Sequence, residues 1–481
     1  MSEPVAEIQR HGTMYLISSL GITIIGFFAT IFYAHWVGPN VLGAYFLFVS
    51  FFSILCLITD FGIGFAGTQR ICEGTDPDRF FTASLVLRLG IYTVLAGGLV
   101  LFQNRFADLN QTGLFWVLII VVGIATLQNS VSMAIGAGNR LGLAASTTLI
   151  NNITRIVVQF LLVFLGFQVY GLIGGLVVGI LLELIIQLKF IDYHLKKFDW
   201  SHVKSIFSYS SWVVLTMAGT VLFDNVNLII IAYFLPVSDV GIFGICWTFS
   251  FFALFVSTAL VNTLFVKVSR WNAQKDQNAI ALSLTRATTY SFIFALPILA
   301  GGILIGHNLL YYLYGAPFAV GAPALIIIIG TRVFQSIYQL YSNYLMATDH
   351  AQMAFYAVGA GITVNIMMAF ILVPVVGITG AALASLANVI ISTMIGRHFL
   401  RQIMPVIIER SPVVHIITAT VIMTIVLLII GLMPFERSAV TTGATVIAGA
   451  AVYFFILLKL DARIRDDVFR TLKINWIPKK P

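Results

Sequence analysis

Leu42-Gly43-Ala44-Tyr45 recurs 198 residues later in the chain as Val240-Gly241-Ile242-Phe243, and this repeat is the first indication of the fold. A second related pair, Tyr170–Gly175 and Val376–Ala381, is separated by 206 residues. Both pairs lie in apolar sequence, and the similar spacing indicates that one half of the chain has been duplicated head to tail. Membrane transporters are often built from two such repeats, with the substrate path between them. The repeat therefore predicts a transporter.

Composition places the chain in a lipid bilayer. It is 59% hydrophobic and 10% charged, with a mean hydropathy of +0.98, whereas soluble domains average about 45–50% apolar and about 25% charged residues. The cysteines Cys56, Cys72 and Cys246 have neither a disulfide-framework nor a metal-site spacing. The first apolar stretch lacks a small-residue cleavage site, so we expect a retained span and not a signal peptide.

Apolar stretches of about 20 residues, the length that crosses a bilayer as a helix, predict an all-α integral membrane protein with about fourteen transmembrane helices. The predicted spans are residues 12–36, 44–67, 81–103, 113–136, 144–167, 169–191, 207–235, 240–266, 287–312, 320–346, 353–373, 376–400, 412–433 and 439–460. The repeat divides them into two pseudo-symmetric six-helix lobes, at 1–200 and 201–402. Residues 403–481 then hold the last two spans and a basic tail.

Lysine and arginine placement orients the chain. With a cytoplasmic N-terminus, 22 of the 27 basic residues fall on inner segments, and only Arg105 and Arg437 fall on outer ones. This predicts a multi-pass protein of the cell membrane with both termini cytoplasmic. The net charge of +8 is explained by contact of the inner loops with anionic membrane lipids, so we expect no nucleic-acid partner.

Six charged residues fall inside predicted spans. They are Arg88, Arg155, Arg332, Asp60, Glu183 and Asp224. A charge at a helix centre costs about 2.5–3.5 kcal/mol on insertion scales, so each must have a structural or functional role. Two interpretations remain open: the residues pair with one another inside the protein, or some of them line a water-filled cavity.

Polar periodicity favours a cavity for two spans. Span five carries Thr148, Asn151, Asn152, Arg155 and Gln159 on one face, and span ten carries Arg332, Gln335, Ser336, Gln339, Ser342 and Asn343. Such stripes cannot face lipid. Arginine binds phosphate through paired hydrogen bonds, and amides suit sugar hydroxyls. The predicted substrate-binding residues are therefore Arg155, Arg332, Arg88, Asn151, Asn152, Gln159, Gln335 and Gln339, and those for ion coupling or charge pairing are Asp224, Asp60 and Glu183.

Enzymatic motifs are weak. Asp60-Phe61-Gly62 matches the kinase metal-binding triplet but lies in an apolar span, and the sequence contains no Gly-x-x-x-x-Gly-Lys-Ser/Thr phosphate loop and no His-Glu-x-x-His pair. We therefore predict no enzyme, no metal site and no cofactor, with Na⁺ or H⁺ coupling left open.

Three longer stretches carry a resemblance. They are Val37–Tyr45, Leu310–Phe318, and Val373–Ala384 with Asn365 ahead of it. With these stretches the chain resembles the polysaccharide-export branch of the multidrug/oligosaccharidyl-lipid/polysaccharide exporter superfamily, the O-antigen-type flippases. The resemblance implies two lobes around a central cavity that opens alternately to each side. It also implies a cargo saccharide linked to an isoprenoid phosphate or pyrophosphate, and partners such as a glycan polymerase or glycosyltransferases.

Two alternatives remain open. A Na⁺- or H⁺-coupled multidrug or metabolite antiporter of the same superfamily would favour an acidic cavity, whereas both polar-striped spans carry arginine. An integral-membrane glycosyltransferase or polymerase would need a large outer loop or clustered metal-binding carboxylates, and the sequence shows neither. Flippase activity is the preferred prediction.

Overall fold

The computed structural model describes the backbone of residues 3–74, 76–103, 113–138, 140–407, 409–432 and 438–466, and the side chains outside 3–24 and 209–217 with a few single exceptions. Throughout these ranges the regular elements are helices, as predicted. The chain divides into two compact units, Met1–Gly241 and Ile242–Pro481. The lobe boundaries expected from the sequence stay predictions, and Arg105, Arg437 and most of the basic tail lie outside the described residues.

Among its described residues, the first unit contains seven helices and the start of an eighth. They are α1 (Glu3–Asp60), α2 (Ile63–Cys72), α3 (Pro77–Leu101), α4 (Leu114–Ala137), α5 (Leu141–Phe164), α6 (Gln168–Leu188), α7 (Trp200–Phe234) and α8 (Val237–Ser250).

Where the structure describes it, the second unit contains the rest of α8, seven further α-helices and two short 3₁₀ helices. They are a 3₁₀ helix (Phe251–Leu254), α9 (Phe255–Ala273), α10 (Gln277–Tyr314), a 3₁₀ helix (Ala316–Gly321), α11 (Ala322–Ala347), α12 (Ala351–Val376), α13 (Ile378–Ile403), α14 (Arg410–Leu432) and α15 (Ala439–Leu460).

Twelve helical segments of the described chain are long and apolar enough to cross a membrane. One of them, Ile25–Asp60, covers parts of the first two predicted spans, 12–36 and 44–67. In α1 these two parts are joined across a kink at Gly38, where the backbone has φ 73° and ψ −179°. The seventh predicted span lies in α7, whose apolar part Ala218–Phe234 is shorter. Together these elements confirm the all-helical membrane fold.

The repeated stretches meet at their glycines. A Cβ on Gly43 of α1 would lie 1.9 Å from the carbonyl oxygen of Val237, and a Cβ on Gly241 of α8 would lie 2.1 Å from the carbonyl oxygen of Pro39. Both clashes are with backbone atoms, which cannot turn away as a side chain can. The two copies of the motif are therefore held in backbone contact by equivalent glycines, as small residues allow in membrane helices.

Gly43→Ala is expected to abolish correct folding of the first unit, because the new methyl group has no space beside Val237. The control is Gly90→Ala in α3, where a Cβ meets nothing within 4 Å and alanine improves helix propensity. Thermal unfolding in detergent measures both variants. Equal stability of Gly43→Ala and Gly90→Ala would contradict the close approach.

The last two helices, α14 and α15, pack on α10. One side chain of α15 supplies a hydrogen bond that the backbone of α10 cannot make by itself. Pro297 lies inside α10 and has no N–H to donate to the carbonyl of Ile293, one turn earlier. The Tyr453 hydroxyl of α15 donates to this carbonyl oxygen at 2.7 Å. An unsatisfied carbonyl is costly in lipid, so the proline in α10 and the tyrosine in α15 are complementary.

Tyr453→Phe is expected to destabilise the protein by about 0.6–1.7 kcal/mol, the range measured for hydrogen bonds between membrane helices. In a Pro297→Ala background the same change should cost much less, because the introduced alanine supplies the missing helical donor. A double-mutant cycle on thermal unfolding separates the two effects. An equal cost of Tyr453→Phe in both backgrounds would show that the Ile293 carbonyl does not depend on Tyr453.

Asp461, which follows α15 directly, joins the ends of α14 and α15. Its carboxylate accepts hydrogen bonds from His415 at 3.1 Å and from the backbone N–H groups of Arg463 and Ile464. Burial alone would raise the pKa of Asp461, but these hydrogen bonds hold the pKa below its ordinary value. The charged carboxylate is thus the form that fixes this end of the helix pair.

Candidate functional site

The eleven predicted site residues are divided between the units. The first unit holds Asp60, Arg88, Asn151, Asn152, Arg155, Gln159, Glu183 and Asp224, and the second holds Arg332, Gln335 and Gln339. The two groups therefore belong to separate compact parts of the chain.

Asp60 and Arg88 form an ion pair at a break between helices. The chain leaves the helical conformation at Phe61 and Gly62, which both have positive φ, and α2 starts directly afterwards. The Asp60 carboxylate accepts from Arg88 Nη2 and from the free backbone N–H of Gly64 at 3.2 Å. Arg88, 2% exposed, also donates to Ser130 Oγ at 3.1 Å. The pair therefore neutralises both charges and caps α2.

Part of the polar stripe of α5 is hydrogen-bonded to α6. Glu183 of α6 is 3% exposed and accepts hydrogen bonds from Thr148 Oγ1 at 3.0 Å and from Asn151 Nδ2 at 2.6 Å. A Cβ on Gly179 would lie 2.6 Å from Asn151 Oδ1, so glycine lets the two helices approach. Gln187, one turn beyond Glu183, donates to the same carboxylate at 3.2 Å.

Gln159 and Asn152 are also satisfied within the protein. Gln159 is 3% exposed, and its Nε2 donates to the Leu172 carbonyl at 2.7 Å and to the Tyr45 hydroxyl at 3.1 Å. Asn152 is half-buried and donates to the carbonyl of Thr148 in its own helix at 2.9 Å. Their substrate contacts stay predictions. To donate a hydrogen bond to a substrate, Gln159 Nε2 would have to give up an interhelical hydrogen bond.

Arg155 differs from the other charges in the first unit. It is half-buried in α5, and within the described residues it has neither a hydrogen bond nor an ion pair. Next to it, Tyr33 of α1 donates to the carbonyl of Ile156 at 3.2 Å. A cation in this position can take an anionic ligand without first losing a protein partner.

Arg332 is enclosed at an irregular turn of the second unit. It is fully buried, and its guanidinium carbon lies 3.9 Å from the ring centre of Trp247 and 4.2 Å from that of Phe251. Nε donates to Ser250 Oγ at 2.8 Å, and Nη1 donates to Gln335 Oε1 at 2.5 Å. Ser250 ends α8, and Phe251 begins the 3₁₀ helix. The arginine thus joins α11 to the place where the regular α-helix stops.

Gln339 and Asp224 are half-buried. Gln339 lies on α11 one turn beyond Gln335, and its Oε1 is buried without a donor among the described residues. Asp224 lies on α7, one turn before the buried Asn227. The positions agree with an inward-facing stripe in each helix.

Several residues of these sites gave no clear signal in the sequence. Trp247 and Phe251 stack on Arg332, but aromatic residues are ordinary in apolar spans. Gln187 is four residues after Glu183 and could have been found from that spacing. Asn365 of α12 is fully buried, with neither amide atom hydrogen-bonded to a described residue, and its place ahead of Val373–Ala384 was its only signal.

Comparison with family models gives a match to "Polysaccharide biosynthesis protein" over residues 33–323, more than half of the chain. The chain belongs to the polysaccharide biosynthesis protein family. This confirms the resemblance to polysaccharide exporters that the sequence motifs indicated.

Two relatives in Haloferax volcanii match the family member from end to end. "Probable low-salt glycan biosynthesis flippase Agl15" is 26% identical and is covered over 100% of its length by 98% of this chain. "Probable flippase AglR" is 24% identical and is covered over 99% of its length by 97% of this chain.

Solved structures of transporters share the fold. "Lipid II flippase MurJ, inward closed conformation" has a TM-score of 0.76 and 19% identity, with 92% of this chain and 98% of that chain covered. An inward-facing multidrug resistance MATE family transporter has a TM-score of 0.63 and 16% identity, with 80% and 98% covered. This family member therefore has the fold of these two transporters.

Arg332→Ala is expected to destabilise the family member by about 2–5 kcal/mol, as other large-to-small changes of buried residues do. Arg332→Lys should recover little of this, because an ammonium group cannot replace a planar guanidinium between two rings. The control is Lys459→Ala, since the Lys459 amine lies 4.7 Å from the ring centre of Phe455 at an exposed site. Thermal unfolding measures the stability of these variants. A stability of Arg332→Ala equal to that of the wild type would contradict a structural role of Arg332.

Proposed function

We propose that this protein is a flippase for glycan assembly, which moves a saccharide linked to an isoprenoid phosphate or pyrophosphate from the cytoplasmic to the outer leaflet. The observation that carries the proposal is the end-to-end match to two relatives named as flippases. Membership of the polysaccharide biosynthesis family agrees with it. The multidrug antiporter alternative is supported by similarity of fold alone.

Arg155 is the residue that we assign to the anionic head of the cargo. It is half-buried in a membrane-spanning helix and has no partner among the described residues. A guanidinium group binds phosphate oxygens through charge-assisted hydrogen bonds that are stronger than neutral ones. The cargo would thereby supply an anionic partner for Arg155, which forms no ion pair with a described residue.

For the other residues with predicted substrate contacts, the hydrogen bonds that each side chain already makes indicate whether it is available to the cargo. Gln339 has an acceptor without a donor, so a sugar hydroxyl would satisfy it. Arg332 is held by Ser250, Gln335 and two aromatic rings. Its direct contact with cargo therefore stays a prediction, and the same holds for Arg88, which Asp60 neutralises.

The proposed mechanism is alternating access, in which the head of the cargo crosses inside the protein while its tail stays in the lipid. Cargo can shift the equilibrium between two conformations only through a difference in its affinity for them. With both termini cytoplasmic in a cell membrane, a potential that is negative inside favours outward movement of an anionic head by about 2.3 kcal/mol per charge and 100 mV. Glycosyltransferases that build the saccharide would act before this step.

Arg155→Ala is expected to slow flipping of a fluorescent isoprenyl-phosphate-linked sugar in proteoliposomes by about 10- to 100-fold, since hydrogen bonds to charged groups contribute about 1.5–3 kcal/mol. Thermal stability should stay at the wild-type value, because no described contact is lost. Arg155→Lys should keep part of the activity, since the charge remains.

The control for this experiment is Arg286→Ala, which removes an exposed arginine from the N-terminal part of α10 in the second unit. Wild-type flipping by a stable Arg155→Ala protein would contradict the assignment of Arg155. A wild-type protein that moves organic cations against a Na⁺ or H⁺ gradient, and does not move the lipid, would contradict the flippase proposal itself.

A further inference from the structure

One face of α3 borders an apolar groove of about 550 Å³ within the first unit, here called the α3 groove. Six residues of α3 between Val86 and Leu95 line it, at the spacing of a single helical stripe. Ile58 of α1, Phe198 and the start of α7 complete its walls, and none of the lining side chains is charged. Ligand pockets have volumes of about 300–1,000 Å³, so the groove is large enough to hold a hydrocarbon chain.

The α3 groove is open at the surface of the protein. Val94 is 78% exposed, and Trp200 at the start of α7 is 77% exposed. Because α3 is long and apolar enough to cross a membrane, the medium beside these residues is lipid. A lipid chain can therefore enter the groove from the side.

Gly90 leaves free space in the middle of the α3 groove. A Cβ at this position meets nothing within 4 Å, whereas at Gly43 it would meet backbone. Glycine is also less favourable than alanine inside a helix. Close packing of the protein therefore does not account for the glycine at position 90, and a chain that lies in the groove would fill the space beside it.

The length of the α3 groove matches one leaflet of a bilayer. From Val86 to Leu95 the helix rises about 13.5 Å, at about 1.5 Å per residue. One leaflet contributes about 15 Å to a hydrocarbon core of about 30 Å. The chains of a membrane lipid fill one leaflet, whereas the chain of an isoprenoid carrier is longer. The groove therefore fits a membrane lipid better than the tail of the proposed cargo.

A basic segment lies at one end of the α3 groove. The start of α7 contacts the start of α3, where the Asp199 carboxylate lies 3.7 Å from Arg79 and the ring centres of His202 and Phe80 are 4.8 Å apart. This end carries the segment Lys189–Lys204, which contains four lysines and two aspartates. In the orientation predicted from the basic residues, it is the cytoplasmic end.

Two of these lysines have no anionic partner among the described residues. Lys196 is paired with Asp78 at 2.5 Å, whereas Lys197 and Lys204 are exposed and form no ion pair that the structure describes. Lys197 directly precedes one lining residue of the groove, and Lys204 lies one turn after another, Trp200. Residues four apart share one face of a helix. Their flexible ammonium groups are thus available to an anion at this end of the groove.

We propose that the α3 groove binds an anionic membrane lipid of the cytoplasmic leaflet. One hydrocarbon chain lies along α3 beside Gly90, and the phosphate of the headgroup is bound by Lys197 and Lys204. Each lysine near the membrane surface adds attraction for an anionic lipid, so the site prefers this lipid to a zwitterionic one with the same chains. The site involves neither Arg155 nor the cargo, and it is independent of the proposed function.

Photo-crosslinking of the full-length protein in phosphatidylcholine liposomes tests the proposal. The probe is a small fraction of phosphatidylglycerol with a diazirine in the middle of one acyl chain, and the reference is phosphatidylcholine with the same chain. We expect the phosphatidylglycerol probe to label Val86–Leu95 and Phe198–Val203 more strongly than the reference does. Unlabelled phosphatidylglycerol should displace these adducts in the wild type, in an excess of phosphatidylcholine.

Two variants separate the headgroup from the chain. Lys197→Gln combined with Lys204→Gln should lower labelling by the phosphatidylglycerol probe to the level of the reference, a loss in affinity of about fivefold for each lysine. Gly90→Phe should lower the affinity for both probes by about tenfold or more, because the aromatic ring takes the place of the chain and its apolar contacts are lost.

The matched controls lie in the second unit. Lys267→Gln combined with Lys275→Gln also removes two exposed lysines. Gly359→Phe adds the same ring to α12, at a position where a Cβ likewise meets nothing within 4 Å. Both controls should label as the wild type does, and thermal unfolding shows whether each variant is folded.

Three results on the wild type would overturn the proposal, whether or not a variant folds. Equal labelling of Val86–Leu95 by the two probes would make the groove an ordinary contact with the bilayer. Absence of adducts on these residues, while other helices are labelled, would leave the groove without a lipid. Displacement of the probe by an isoprenyl phosphate at lower concentrations than by phosphatidylglycerol would assign the groove to a carrier lipid instead.

Discussion

Hydrocarbon offers no hydrogen bonds, so every polar group in the membrane part of this chain has to be satisfied by the chain itself or by what it carries. The backbone obeys this constraint even where helices are irregular. The carbonyl that Pro297 leaves without a donor receives one from Tyr453, 160 residues away. The free N–H at the start of α2 is accepted by Asp60, whose charge is in turn held by Arg88.

The charged side chains of the described helices differ in how far other protein groups satisfy them. Arg88 with Asp60, and Arg332 with its aromatic rings, Ser250 and Gln335, fix places where a regular α-helix ends. Arg155 has no such contacts among the described residues, and Glu183 has neutral donors only. A transporter needs groups whose partner is exchanged during its cycle, and we propose that Arg155 is such a group, with the anionic head of the cargo as its partner.

The sequence was sufficient for the helical spans, because composition and periodicity are local properties, whereas the duplication and the roles of the polar stripes stay predictions. It was not sufficient for what each stripe touches. Asn151 and Gln159 lie on the predicted polar face of α5, and at both residues that face contacts α6, beside Gly179 and Gly175 respectively. Periodicity identifies the face that avoids lipid, and it cannot distinguish a neighbouring helix from water. Likewise, Pro297 signals a carbonyl without a donor but not the tyrosine that supplies one.

The proposed function depends on binding of the anionic head of the cargo beside Arg155. Photo-crosslinking in membranes tests this most directly, with an isoprenyl-phosphate-linked sugar that carries a diazirine on the isoprene unit next to the phosphate. We expect adducts on α5 and α6 residues around Arg155, which unlabelled isoprenyl phosphate displaces. Displaceable adducts confined to other helices, with α5 and α6 unlabelled, would contradict it.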